Sequence, residues 1–361
     1  MSGAGPASGA GSPSGGGTPS GAEAGGSGPA PQLSALINGY WAAQVLNVAA
    51  MLGFADRLAQ APCSADELAA AAAAHAPSVR RLMRALQTLG VCRAVEDGRF
   101  ELTPVGQFLR ADVPGSLRGR ALFTGDLLWR QFGDLTNVVR TGERTRVIAS
   151  GVEGFEALAA DPARLDAFQQ AMAEGSVRAA RDAQRVFDFG RFANVLDLGG
   201  GYGAVLAVLL ASHPAMRGAV CDLAFLAQPA TRYLERAGVA DRARFVAGDF
   251  FRSVPRGYDA HVMKFVIHDW DDEHAAHILR NCRAAAAPSA RVILLEQVVP
   301  DALGTSVADQ AVIRADLTMM TVGGKERTAD EYRALMAGAG WRLERIVKAS
   351  AEFSVLEAAP A

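Results

Sequence analysis

One stretch restricts the possible folds of this chain more than any other. Val195-Leu196-Asp197-Leu198 reads as a buried strand, Gly199-Gly200-Gly201-Tyr202-Gly203 as a tight turn, and Ala204–Leu210 as a helix. The same rhythm continues toward the C-terminus. Gly218–Asp222, Arg244–Ala247, Ala260–Ile267 and Arg291–Glu296 are apolar runs of strand length. A helix over Asp271–Ala286, another over 328–339, and closing strands at 341–348 and 352–357 complete the pattern. Strand–helix repetition predicts an α/β domain with a Rossmann-like, doubly wound, mostly parallel seven-stranded sheet. Ligands of such sheets sit at the carboxyl ends of the strands, so residues there are the first candidates for chemistry.

The half before residue 186 follows other rules. Residues 32–60 are apolar on several faces (Leu36, Tyr40, Val45, Leu46, Met51, Leu58) and predict a buried helix, with a second subunit as one candidate cover. Ser64 and Glu67 form a capping box that opens an alanine-rich helix. Pro77-Ser78 opens the next, with Leu82, Met83, Leu86 and Leu89 on one face and Gly90 as its stop. Val91–Val95, the Asp97-Gly98 turn and Arg99–Leu102 predict a hairpin, so the unit describes a winged helix. Residues 104–185 read as mostly helical, with breaks near Gly133, Gly142 and Gly151–Gly154. Residues 1–31 hold eleven glycines and five prolines among little but Ala, Ser and Thr, and predict a disordered tail. The tail has neither a basic n-region nor an apolar h-region and does not read as a signal peptide. The expected domains are therefore the tail 1–31, a helical and winged-helix domain 32–185, and a catalytic domain 186–361.

Bulk properties exclude some functions. A net charge of −2 argues against a general nucleic-acid binder and against docking on an acidic membrane. No apolar run reaches the roughly 18 residues of a membrane span. Cys63, Cys92, Cys221 and Cys282 lie far apart without a C-x-x-C pair, which suits reduced, buried thiols in a cytoplasmic protein.

Asp197-Leu198-Gly199-Gly200-Gly201-Tyr202-Gly203 offers the backbone freedom for close approach to a ligand. Against the dinucleotide pattern G-x-G-x-x-G, the sixth residue counted from Gly201 is Leu206, a mismatch, and from Gly199 it is Ala204, a substitute that the pattern permits. Asp197 puts a carboxylate beside the turn, where it would orient a cationic ligand and would sit awkwardly near a pyrophosphate. Asp222 ends the next strand, where an acid accepts from ribose hydroxyls. Asp249 and Phe250 end the third, offering a carboxylate and an aromatic face suited to adenine. Together they point to S-adenosylmethionine. The competing reading is a doubly wound domain whose glycines serve helix–strand packing alone.

Met263-Lys264-Phe265-Val266-Ile267-His268-Asp269-Trp270 ends the fourth strand. Methyl transfer to a hydroxyl needs a base, and His268 is placed for that work. A carboxylate holding the ring would fix its tautomer; Glu296 is the first candidate and Glu326 the second. Lys264 reads as structural or cofactor-contacting. Asp269 reads as a helix cap, a substrate contact or both. His274 and His277 read as surface and flanking residues of a helix, although their spacing near acids also permits a metal site.

These motifs resemble those of the cation-independent, class I S-adenosylmethionine-dependent O-methyltransferases of the plant caffeic acid type and their bacterial natural-product relatives. The likeness covers about residues 32–357. It rests on Val195–Gly203, Gly248–Phe250, Met263–Glu273 with its His-Asp-Trp core, Leu294–Glu296 and Gly323–Thr328. The resemblance implies an enzyme that methylates a hydroxyl of an aromatic or polyketide-type small molecule in bacterial secondary metabolism. It implies S-adenosyl-L-methionine as cofactor, S-adenosyl-L-homocysteine as product, no metal, and a homodimer through the N-terminal helices. Carried over by position, the cofactor residues are Ser176, Gly200, Asp222, Asp249, Phe250 and Lys264. His268 is the base and Glu296 and Glu326 its flanking carboxylates. Phe168, Met172, Asp269 and Met319 line the acceptor pocket. Gly175 departs from the family where some plant members carry a pocket histidine, and the segment from Met319 to Gly323 is short.

Three other functions share features of this sequence. A C- or N-methyltransferase would use the same cofactor residues, and a repurposed relative would keep the fold without the transfer. A winged-helix regulator would place Arg80, Arg81 and Arg84 on phosphates, though their helix lacks polar residues to read bases.

Overall fold

A computed structural model describes residues 28–145 and 162–361. The chain divides into two compact units, Met1–Trp41 and Ala42–Ala361. Most of the expected tail, residues 1–27, lies outside the described residues, as do Gly151–Gly154. Its last residues are not tail: Pro29 and Pro31 stand in the first turn of the helix Pro29–Ile37. A missing N–H costs nothing there.

The single helix expected over 32–60 is three: Pro29–Ile37, Tyr40–Met51 and Phe54–Leu58. Gly53 turns the chain at φ 65°, which an L residue adopts only at a cost. The segment is also less buried than its composition suggests, since Leu36, Tyr40 and Met51 are exposed.

The winged helix forms as its local signals require. Strands β1 (Cys63–Ser64), β2 (Cys92–Ala94) and β3 (Arg99–Leu102) pair in the order β1-β3-β2 beside helices Ala65–Ala71 and Ala76–Thr88. The Ser64/Glu67 capping box is present. Asp97 and Gly98 turn the hairpin at φ 59° and 68°. Leu68, Val79, Met83 and Leu86 bury the amphipathic faces against Phe54, Leu58 and Cys92. Helices follow over Arg118–Phe123, Trp129–Gly133 and Leu135–Thr141, and the last ends at Gly142. A long helix, Pro162–Val186, leads into the sheet.

The sheet comprises β4 (Asn194–Leu198), β5 (Arg217–Asp222), β6 (Ala243–Ala247), β7 (Ala260–Lys264), β8 (Arg291–Glu296), β11 (Trp341–Lys348) and β12 (Ser354–Pro360). A separate two-residue pair joins β9 (Val298–Val299) to β10 (Arg327–Thr328). The order is β11-β12-β8-β7-β4-β5-β6, with β12 antiparallel to both its neighbours, β11 and β8, and the other pairings parallel. Alternation along the strands serves two cores. Leu196, Leu198, Met263 and Leu294 face helices Asp272–Ala285 and Ala329–Gly338. Val195, Val262, Ile293 and Leu295 face Ala204–Ser212 and the end of Pro162–Val186. The chain runs outward from β4 through β5 to β6, then returns to start β7 on the other side of β4. That reversal opens a crevice at the carboxyl ends of β4 and β7.

Candidate active site

The glycine turn lines one wall of the crevice. Gly199 and Gly201 adopt φ 69° and 56°. A Cβ on Gly199 would lie 2.9 Å from Val266 and 3.5 Å from the Phe250 ring, and one on Gly201 would lie 2.7 Å from Gln169 Oε1. The turn is therefore a cradle that only glycine leaves open. Asp222 braces it: its carboxylate accepts from the Gly201 N–H at 2.8 Å and the Leu223 N–H at 2.7 Å. Asp197 is buried beneath Gly200, where its carboxylate accepts from the Leu206 N–H at 3.2 Å, at the start of the following helix. Burial pushes Asp197 up to about 7 against that hydrogen bond. Asp249 accepts from the Phe251 N–H at 2.8 Å, and Phe250 stands edge-on to Trp270. Lys264 ends β7, its Nζ 4.3 Å from the Phe265 ring centroid. Burial pulls it down to about 8, although Glu296, Asp269 and Asp197 favour its charged form.

The opposite wall is the turn after β7. The strand stops at Lys264, short of the expected Ile267: Phe265 still donates to the Leu295 carbonyl at 3.1 Å but takes φ 54°, which turns the chain out of the sheet. A positive φ on a bulky residue is strained, and such strain collects at functional sites. Ile267–Asp269 then form one short helical turn. His268 is 9% exposed, with its ring stacked 5.1 Å from that of Phe265. Its Nδ1 lies 2.8 Å from Glu326 Oε1 and 3.7 Å from Glu296 Oε2, and its Nε2 lies 3.6 Å from Asp269 Oδ1. Burial alone would lower the imidazole, but the Glu296 and Glu326 carboxylates and then Asp269 raise it to about 9.

The two glutamates divide the labour differently from their expected ranking. Glu326 makes the direct hydrogen bond to His268. Glu296 spends Oε1 on the N–H groups of Val266 and Ile267, at 3.1 and 2.8 Å, and so holds the turn from below. Burial raises the Glu296 carboxyl against the attraction of His268. Each member of the trio offers one ligand atom within 4.8 Å of the others, a spacing that would also suit an ion. Glu326 Oε1 and Glu296 Oε1 are hydrogen-bonded, whereas the other oxygen of each carboxylate is buried without a hydrogen-bond partner.

The remaining expected residues fall as follows. Phe168, Met172 and Ser176 lie on Pro162–Val186; Phe168 meets the Phe123 ring at 5.7 Å, and the Ser176 hydroxyl donates to the Met172 carbonyl at 2.7 Å. Met319 lies on the helix Val307–Val322, and its carbonyl accepts from the Gly324 N–H at 2.9 Å. Asp269 is not the helix cap; Asp271 is, accepting from the His274 N–H at 2.9 Å. His274 and His277 stand edge-on to Phe251. All four cysteines are buried and free. Gln169, Asp316 and Arg327 were not foreseen as site residues. Asp316 accepts from the Glu326 N–H at 2.9 Å. Arg327 lies within the Gly323–Thr328 motif without a role that spacing could assign, and Gln169 and Asp316 have no local signal.

Known proteins match nearly the whole chain. Residues 132–342 match the O-methyltransferase domain and residues 34–112 the O-methyltransferase dimerisation domain. A phenazine O-methyltransferase of Lysobacter antibioticus is 37% identical over 326 residues, covering 90% of this chain and 94% of that one. An 8-amino-8-demethylriboflavin N,N-dimethyltransferase of Streptomyces davaonensis is 34% identical over 319 residues, covering 87% and 90%. Among solved structures, an O-methyltransferase from neocarzinostatin biosynthesis, in complex with S-adenosylmethionine and 2-hydroxy-5-methyl naphthoic acid, superposes with a TM-score of 0.74. It is 32% identical, and the match covers 88% of this chain and 96% of that one.

Proposed function

The chain belongs to the O-methyltransferase family, and from that premise we propose that it methylates a hydroxyl of an aromatic or polyketide-type small molecule in bacterial secondary metabolism. The observation that carries this reading is the buried His268, bonded to Glu326 on the turn after β7, the strand that neighbours β4 and its glycine cradle. When bound, S-adenosylmethionine supplies an electrophilic methyl group on a cationic sulfur. The cradle and the three strand-end acids suit that group. Gly199, Gly200 and Gly201 would admit its amino-acid end, with Ser176 and Lys264 beside it. Asp222 would take the ribose, and Asp249 with Phe250 the adenine. Asp197 would act by bracing the turn. Phe168, Met172, Asp269 and Met319 would line the acceptor.

The proton traffic follows from the trio. With Nδ1–H donated to Glu326, the free lone pair of neutral His268 is on Nε2, toward the acceptor side. A hydroxyl there gives its proton to Nε2 as its oxygen attacks, and the imidazolium formed is stabilised by Glu296 and Glu326. Because these acids hold His268 near 9, its basic form grows as pH rises from neutral, and initial rates should climb with it. No metal is needed in this scheme. A homodimer through the dimerisation domain and a cytoplasmic setting complete the reading.

The test is methyl-label transfer from S-adenosylmethionine across phenols, hydroxynaphthoates and phenazinols, with and without EDTA. Wild-type enzyme should label a hydroxyl in both conditions. His268→Ala should lose about 10²–10⁴ in turnover with its cofactor affinity unchanged. Full activity in that variant refutes the base, and abolition by EDTA with magnesium rescue refutes the metal-free scheme. The N,N-dimethyltransferase relative favours a second reading, transfer to an aromatic amine, which anilines in the same screen would reveal. Regulation through DNA is disfavoured by the net charge of −2 and by a helix short of residues that read bases.

A further inference from the structure

Arg327 carries no part of the scheme above, yet its side chain is completely buried beside the site. Its guanidinium makes three long-range bonds, all to one short segment. Nη1 donates to the Ile267 carbonyl at 3.1 Å, Nη2 to the Trp270 carbonyl at 2.8 Å, and Nε to Asp272 Oδ1 at 2.9 Å. Ile267 and Trp270 bracket His268. The same strip of chain contributes two more bonds to that turn: the Lys325 N–H donates to the His268 carbonyl at 2.9 Å, and Glu326 holds the imidazole.

We propose that Arg327 is a positioning residue for the transfer, its planar fork gripping both sides of the turn so that the His268 ring stays seated on Glu326. This rests on the function proposed above. A buried cation is costly unless good geometry and further hydrogen bonds offset its lost hydration. Three acceptors on one segment provide that offset, and a guanidinium spans them where an ammonium does not. The turn needs such a grip. It follows Phe265 at φ 54°, so relaxation of that strain would carry His268 away from Glu326. The groups facing His268 are Glu296 from β8, Glu326 from the strip and Asp269 from its own turn.

The test is Arg327→Lys, which keeps the charge and loses the span. Its kcat should fall by about 100-fold, the scale expected of a reacting group displaced by about 1 Å. Cofactor affinity by calorimetry should not change. The ¹⁵N titration of the His268 imidazole should move toward the ordinary histidine range, because a ring loosened from Glu326 gains less from its charge. Asp272→Asn, which weakens the outer anchor at a solvent-exposed position, should shift kcat and titration in the same directions by less. Wild-type kcat and titration in Arg327→Lys overturn the proposal, as does loss of kcat matched by loss of cofactor binding. Should Arg327→Lys not fold cooperatively, an unchanged titration in Asp272→Asn overturns it. Absence of methyl transfer by the wild type would refute the proposed function instead, and the titration still decides the role of Arg327.

Discussion

His261 and His268 sit on one strand and the turn that follows it, and their surroundings drive them in opposite directions. His261 lies inside β7, fully buried, with neither ring nitrogen hydrogen-bonded, and burial pulls it down to about 4. His268 has acids around it and rises to about 9. One residue is kept neutral by burial; the other is held in its charged form at neutral pH by the acids around it. The sign of the linkage is definite for each. His261, depressed in the folded state, contributes stability that is complete above about pH 6.5 and is lost as pH falls toward 4, up to roughly 3 kcal/mol. His268, raised in the folded state, contributes stability that is complete below about pH 6.5 and is lost as pH rises through 9. His261→Leu should therefore be more stable than wild type in urea, with an advantage that widens as pH drops from 6.5 to 4. An advantage independent of pH would show that His261 finds a partner in solution.

At the scale of elements, the site is a strand end, a turn and a distant strip pressed together. Gly324 makes the contact possible. A Cβ there would lie 2.1 Å from the His268 carbonyl oxygen and 2.6 Å from the Asp269 carbonyl carbon, both backbone. Gly324→Ala must displace the turn. It should cost about 1–3 kcal/mol, as overpacking does, and lower kcat by more than its effect on cofactor affinity. Equal loss in both would indicate general unfolding. The elements were largely legible in the sequence because they follow local rules. The apolar runs, the capping box and the Asp97-Gly98 turn each signal within a few residues. The strand-end acids and His268 were legible for the same reason, since their positions follow from where strands stop. What could not be read was contact across the chain. Glu326 lies 58 residues from the ring it holds, and nothing local ranks it above Glu296. Arg327 and Gln169 are hidden in the same way. The break at Gly53 was missed because an apolar pattern ran through it.

At the scale of the whole molecule, the residues after 186 bury their strands between two apolar cores, while the N-terminal helices leave a run of apolar residues exposed. Leu36, Ile37, Tyr40 and Met51 are all largely exposed. Such residues are ordinary singly, but a run of them within the matched dimerisation domain calls for a cover. Sedimentation should give twice the chain mass, and Leu36→Glu with Ile37→Glu should reduce it to one. Removing residues 2–27 should leave mass ratio and turnover unchanged, given a composition that offers no core. A monomeric wild type, or inactivity on trimming, would contradict these expectations. One consequence of the central ladder concerns fidelity. β7 pairs with β4 at three positions and with β8 at five, each strand buried on both faces. Slipping β7 by one residue would swap the residues in its two cores and shift His268 by about 3.3 Å. The placement of His268 thus inherits the error-proofing of a sheet register, and substitutions that keep the register leave it undisturbed.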